Sequence, residues 1–143
     1  MIRLLGMGLM SIGMFALVVR AADTKEEWKP LQGTWRPKSG EMAGKAMATE
    51  GLKSIKLVIA DDKYTVGIDR GTIKIDATRK PSTMDIIGVE GPNKGKTFLA
   101  IYEVTGDTLK ICYDLAGKTR PTEFKTTTGT MQFMLTYERD KQP

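Results

Sequence analysis

From residue 53 onward the chain alternates between apolar and polar side chains. Ile55, Leu57 and Ile59 fall on one side of an extended segment, with Ser54, Lys56 and Val58 on the other. Asp61-Asp62 forms a turn, and Tyr64, Val66 and Ile68 resume the same spacing, which predicts a hairpin. Gly71 opens a strand carrying Ile73 and Ile75, and Lys80-Pro81 ends it, because proline has no amide proton to give to a ladder. Four more strands follow. Their apolar faces carry Met84 and Ile86; Phe98, Ala100, Tyr102 and Val104; Leu109, Ile111 and Tyr113; and Met131, Phe133, Leu135 and Tyr137. Turn-forming residues separate them at Gly91-Pro92-Asn93-Lys94-Gly95 and Thr105-Gly106-Asp107, while residues 114–130 read mostly as loop. Upstream, residues 31–35 form the first strand. Residues 37–51 lack any period of two and read as a long loop with a short helix. Residues 23–30 predict one helical turn, with Thr24 as its cap and Glu27 three residues on.

Eight strands without a long helical period predict an all-β protein, and antiparallel alternation with one apolar face suits a sandwich or a barrel. The connections favour an eight-stranded antiparallel up-and-down barrel. Odd-numbered connections share one end of such a meander and include the three richest in Gly, Lys and Arg. Even-numbered ones share the other end and are compact. The chain thus has an elaborated mouth and a tight base. Trp35 on the first strand and Arg139 at the end of the last both fall at the base.

The first residues do not belong to this barrel. Met1-Ile2-Arg3 is followed by an apolar, glycine-punctuated run to Val19, and Val19-Arg20-Ala21 has the form of a small-residue cleavage site. Residues 1–21 therefore read as a secretory signal peptide, residues 22–30 as a lead-in, and residues 31–143 as the barrel domain. An uncleaved anchor is the alternative, although the apolar run is short against the ~20 residues that span a bilayer. Removing the leader lowers the net charge from +5 to +3, and no basic block with interleaved aromatics is present, so nucleic acid is not an expected partner. Cys112 is the single cysteine, which rules out an internal disulfide.

The Gly33-x-Trp35 step with a closing Arg139 resembles the lipocalin and fatty-acid-binding (calycin) barrels, in which the arginine stacks over the tryptophan to seal the closed end. A broader likeness covers most of the chain after residue 30. LQGTW at 31–35, GTIKID at 71–76, EGPNKGK at 90–96, AIYE at 100–103, GDTLKICYD at 106–114 and RPTEF at 120–124 resemble an exported, lipocalin-like family abundant in planctomycetes, to which no biochemical function is assigned. The resemblance implies the fold, structural roles for Gly33, Trp35 and Arg139, and export to a periplasmic or extracellular space.

The residues themselves exclude much chemistry. With no histidine in the chain, His-based triads, His-containing zinc sites and imidazole acid–base catalysis are impossible. Residues 91–97 imitate a phosphate-binding loop but have three residues between the glycines instead of four, and they lead into a strand, so they read as a hairpin turn. No catalytic residue, metal site or cofactor is expected, and an enzyme is the least favoured class. The leading expectation is a small hydrophobic or amphiphilic ligand inside the barrel. Ten basic and six acidic side chains in the mouth connections and their flanks leave an excess of four positive charges there, which suits an anionic head. Arg120 is the residue expected to grip it bidentately; Tyr102, Tyr113, Lys96 and Phe124 complete the candidate site. The alternative is a protein-interaction or envelope-structural module whose barrel is filled by its own side chains.

Overall fold

The computed structural model describes residues 23–141, so residues 1–21, read from sequence as a signal peptide, lie outside the described residues. α1 (Asp23–Trp28) and a 3-10 turn (Lys29–Leu31) lead into β1 (Gly33–Met42), followed by a two-residue β2 (Lys45–Ala46) and α2 (Thr49–Leu52). β3 (Leu57–Ala60), β4 (Lys63–Val66), β5 (Asp69–Asp76), β6 (Ser82–Glu90), β7 (Thr97–Thr105), β8 (Thr108–Asp114) and β9 (Gln132–Arg139) complete the chain. Each strand from β3 to β9 pairs antiparallel with the next, and β1 pairs with both β3 and β9. Eight strands therefore close an antiparallel barrel, which removes the free sheet edges. β2 is a short flap on the far end of β1.

Several boundaries differ from the sequence reading: Leu31 precedes β1, Ile55 precedes β3 and Met131 precedes β9, and three further differences have a clear local cause. β1 extends to Met42, because its outer half pairs with β9 from Ser39↔Thr136 to Met42↔Phe133. A register shift between Pro37 and Ser39 breaks the alternation there, and Gly40, paired with Leu135, adds no apolar side chain to signal a strand. α2 is the short helix expected in that stretch, and its Leu52 is buried in the core. Ile68 is not a strand residue; it sits in the β4–β5 turn with 78% of its surface exposed. β5 in turn begins at Asp69 instead of Gly71.

Directly opposed residues on neighbouring strands share a face, so the register carries one inward set around the barrel. It runs through Trp35, Leu57, Val66, Asp69; Ile59, Tyr64, Gly71; Ile73, Ile86, Phe98; and Met84, Ala100, Tyr113, Phe133. At the base, the Trp35 indole is fully buried and donates to the Leu31 carbonyl at 2.9 Å. Arg139 lies over the Trp35 ring with its Cζ 4.2 Å from the centroid, and its guanidinium donates to the carbonyls of Gln32 and Pro30 and to Asp107. Gly33 permits this approach: its φ is +117°, and a Cβ there would stand 3.1 Å from Arg139 Nη1.

Residues 115–131 leave the mouth and, beyond Leu115, which packs against the core and lines its mouth end, lie along the outer wall as a strap. A Leu115 N–H to Met131 carbonyl bond of 2.9 Å closes its neck. Thr126 joins it to β1, accepting from the Gly44 amide at 2.8 Å and donating to Glu41 at 2.6 Å. Under the strap, Ile101 and Cys112 oppose each other on the outward phase of β7 and β8 and are nonetheless buried.

Candidate functional site

The mouth half of the barrel contains a cavity of about 240 Å³. Its wall is mostly aliphatic and aromatic, including Leu57, Ile59, Val66, Ile73, Ile86 and Phe98. Four polar side chains also reach it: Tyr64, Asp69, Asn93 and Tyr113. A cavity of about 150 Å³ already holds benzene, so this one is large enough for a small organic molecule. Wider depressions exist, such as an open groove of about 540 Å³ at the base end, lined by residues 79–82, Tyr102 and Phe124. A largely apolar recess with a few convergent polar groups is the usual form of a ligand site.

Each polar group is positioned by the sheet. Asp69 opens β5 opposite Val66 and so points inward two residues before Gly71 and four before Ile73. Asn93 arrives from the β6–β7 turn, which folds back against β6 through Gly88 N–H to Lys96 carbonyl and Gly95 N–H to Gly88 carbonyl bonds. Gly88 makes this possible, since a Cβ on it would stand 1.9 Å from the Asn93 carbonyl oxygen. The Asn93 amide donates to Asp69 Oδ2 at 2.7 Å. Asp69 Oδ1 is buried and has no hydrogen-bond partner among the described residues. The Tyr113 ring is wedged between Phe98 and Phe133, with centroids 5.8 and 5.3 Å away.

The electrostatics are those of a carboxylate set in an apolar chamber. Burial, then the negative charge of Asp69 and a hydrogen bond to its carboxylate, pushes the Tyr64 phenol up to about 12. The same two causes, in the same order, raise Tyr113, with Tyr64 a further contribution. Both phenols therefore stay protonated at neutral pH. No Lys or Arg is among the described residues that line the cavity.

Of the residues expected from sequence, Tyr102 and Phe124 share the open groove at the base end, and the others are dispersed. Tyr113 is in the cavity wall. Tyr102 also points inward, but it opposes Ser82 and Ile111 nearer the base and is not part of the cavity. Lys96 is exposed beside the β6–β7 turn. Phe124 belongs to the strap and packs under Lys110, whose ammonium is 5.6 Å from its centroid. Arg120 does not reach the mouth opening. Its guanidinium is on the outer wall, donating to the carbonyls of Ala100 at 2.6 Å and Met84 at 3.3 Å and pairing with Asp85 at 2.5 Å. Arg36, counted with the mouth charges, pairs with Asp140 near the base.

Asp69, Asn93 and Tyr64 were not singled out by the sequence. For Asp69 the signal was present, since it shares the phase of Ile73 and Ile75; for Asn93, on a folded-back turn, there was none.

No protein-family model, curated protein or solved structure matches this chain. Among the described residues, no group of three His, Cys, Asp or Glu side chains is placed to hold a metal ion, and no helix is long and apolar enough to cross a membrane.

Proposed function

We propose that this protein is an exported, lipocalin-like barrel that carries one small, predominantly apolar molecule in the mouth half of its interior. The observation that carries this reading is the 240 Å³ cavity with an apolar wall and polar groups at a few fixed points. An eight-stranded barrel filled by its own side chains has no such space. The closed up-and-down meander and the Arg139–Trp35 stack at its base support the lipocalin-like assignment. The signal-like residues 1–21 support export.

Native mass spectrometry of the protein purified from its own cells tests both parts. The expected result is a chain lacking residues 1–21 that retains one small molecule per copy. Ile86→Trp, which fills the cavity from β6, is expected to release that molecule while the barrel stays folded. An intact N-terminus in the purified protein overturns cleavage, and recovery of the protein from the cytoplasmic fraction overturns export. A chain that carries nothing and also fails to bind an apolar fluorophore overturns the ligand reading.

One observation favours a second reading, the interaction module. The exposed large apolar side chains among the described residues are Met42, Ile68, Val89 and Met131. All four lie at the mouth end, which suits a surface that docks another protein. A solid interior in the mass experiment, together with a stable complex lost on Ile68→Ser, is the outcome that selects it.

A further inference from the structure

We infer that the molecule held in this cavity is a small organic cation, an apolar body ending in an ammonium group that donates to Asp69. The inference rests on the ligand-binding reading above and fixes the polarity of its ligand. Asp69 is the one charged side chain among the described residues that line the chamber, and it is negative. An ionised carboxylate only accepts hydrogen bonds, and burying one without donors is costly. Asn93 supplies one donor, to Oδ2 at 2.7 Å. The Tyr64 hydroxyl is a second donor beside the carboxylate, yet Oδ1 itself is left buried without a hydrogen bond among the described residues, in a cavity whose other surfaces are Leu, Ile, Val, Met, Phe and Tyr.

The geometry of the wall extends this argument. The inward position of Asp69 is fixed by its pairing with Val66, and its amide partner is held by a turn that tolerates no side chain at Gly88. The carboxylate is therefore pre-organised and half satisfied. A ligand ammonium completes Oδ1 and neutralises the charge, while its apolar body lies against Ile73, Ile86 and Phe98. Tyr64 and Tyr113 border the same space and present hydroxyl oxygens, which accept from an ammonium without adding charge. An anionic ligand meets repulsion at this point and finds no cavity-lining arginine or lysine to offset it, because Arg120 is committed to Asp85 and two backbone carbonyls on the outside.

Three probes of nearly equal size test the inference: n-hexylammonium, n-hexanol and n-hexanoate. Each is titrated calorimetrically into the purified protein, with the methyl signals of Ile73 and Ile86 followed by NMR to locate binding in the cavity. The ammonium is expected to bind at least about tenfold more tightly than either other probe, the difference a charge-assisted hydrogen bond provides. Asp69→Asn, which keeps the shape but removes the charge, is expected to abolish that preference and leave hexanol affinity unchanged. The net positive charge of the chain favours the anion, so non-specific attraction cannot imitate this result.

Equal binding of ammonium and hexanol overturns the cation and means that a water or the Tyr64 hydroxyl satisfies Oδ1. Preferential binding of hexanoate also overturns it. In either case the cavity remains a ligand site. Failure of all three probes to bind or to shift the two isoleucine methyls overturns the inference and the ligand reading together. Because the three-probe comparison is made on the unmodified protein, the inference stays testable even if Asp69→Asn fails to fold.

Discussion

Trp35 is where the first strand, the last strand and the N-terminal segment meet. Its indole is fully buried against Leu31 and lies under the Arg139 guanidinium, which also ties the carbonyls of Pro30 and Gln32 to Asp107. Removing such a ring leaves a cavity at the base that neighbouring strands cannot collapse to fill. Trp35→Ala is expected to lower unfolding stability by about 3–5 kcal/mol in a urea titration. Affinity for a cavity probe, measured per folded molecule, is expected to survive, because the cavity lies at the opposite end. Gly33-x-Trp35 and Arg139 were legible in sequence because both fall at ends of strands whose phase is clear. Asp69 was less so. Ile68 continued the apolar alternation of Tyr64 and Val66, so the turn before Asp69 was read as strand.

At the scale of elements, the strap of residues 115–131 does two jobs that its composition does not announce. It covers Ile101 and Cys112 on the outer face, and its Arg120 fastens it to β6 and β7. Burial, the larger effect, raises the Cys112 thiol, which sits 3.6 Å from the Lys125 carbonyl. Such a thiol is a poor nucleophile until the strap opens. Arg120→Ala removes an ion pair that is itself about a third exposed, so its worth lies mainly in the hydrogen bonds to backbone. The variant is expected to make local opening easier by about 1–2 kcal/mol, which accelerates alkylation of Cys112 roughly 5–30-fold. Affinity for cavity probes is expected to be unchanged. A loss of affinity with no change in alkylation would instead mean that Arg120 serves the mouth.

At the scale of the whole molecule, all four tyrosines, Tyr64, Tyr102, Tyr113 and Tyr137, point into the barrel and all four are raised, with burial as the largest cause. The consequence is that the phenols' own contribution to stability depends on pH only under alkaline conditions. A phenol with a raised pKa in the folded state binds its proton more tightly there than in the unfolded chain. Its contribution is constant below the ordinary value of about 10 and is lost as the pH rises above it. For Tyr64 the window closes at about 12. Each such phenol steepens the decline by about 1.4 kcal/mol per pH unit. Phenolate absorbance is expected to appear together with loss of structure instead of near pH 10 in the intact barrel. Tyr64→Phe is expected to flatten the decline. Separate, reversible ionisation of tyrosines in a folded barrel would contradict this account.

The sequence by itself determined the all-β class, the number and order of the barrel strands, and the division into a compact base and an elaborated mouth. These follow from side-chain alternation and turn chemistry, which are local. The tertiary structure alone decided where the long connections go. Residues 115–131 carry their arginine to the outer wall because Asp85 and the carbonyls of Met84 and Ala100 are there to receive it. The β6–β7 turn folds over Gly88 and delivers Asn93 to Asp69, residues 24 positions apart in the chain. The counted charge of the mouth loops was positive, whereas the charge inside the cavity is negative, because loop composition does not specify which side of the wall a side chain occupies.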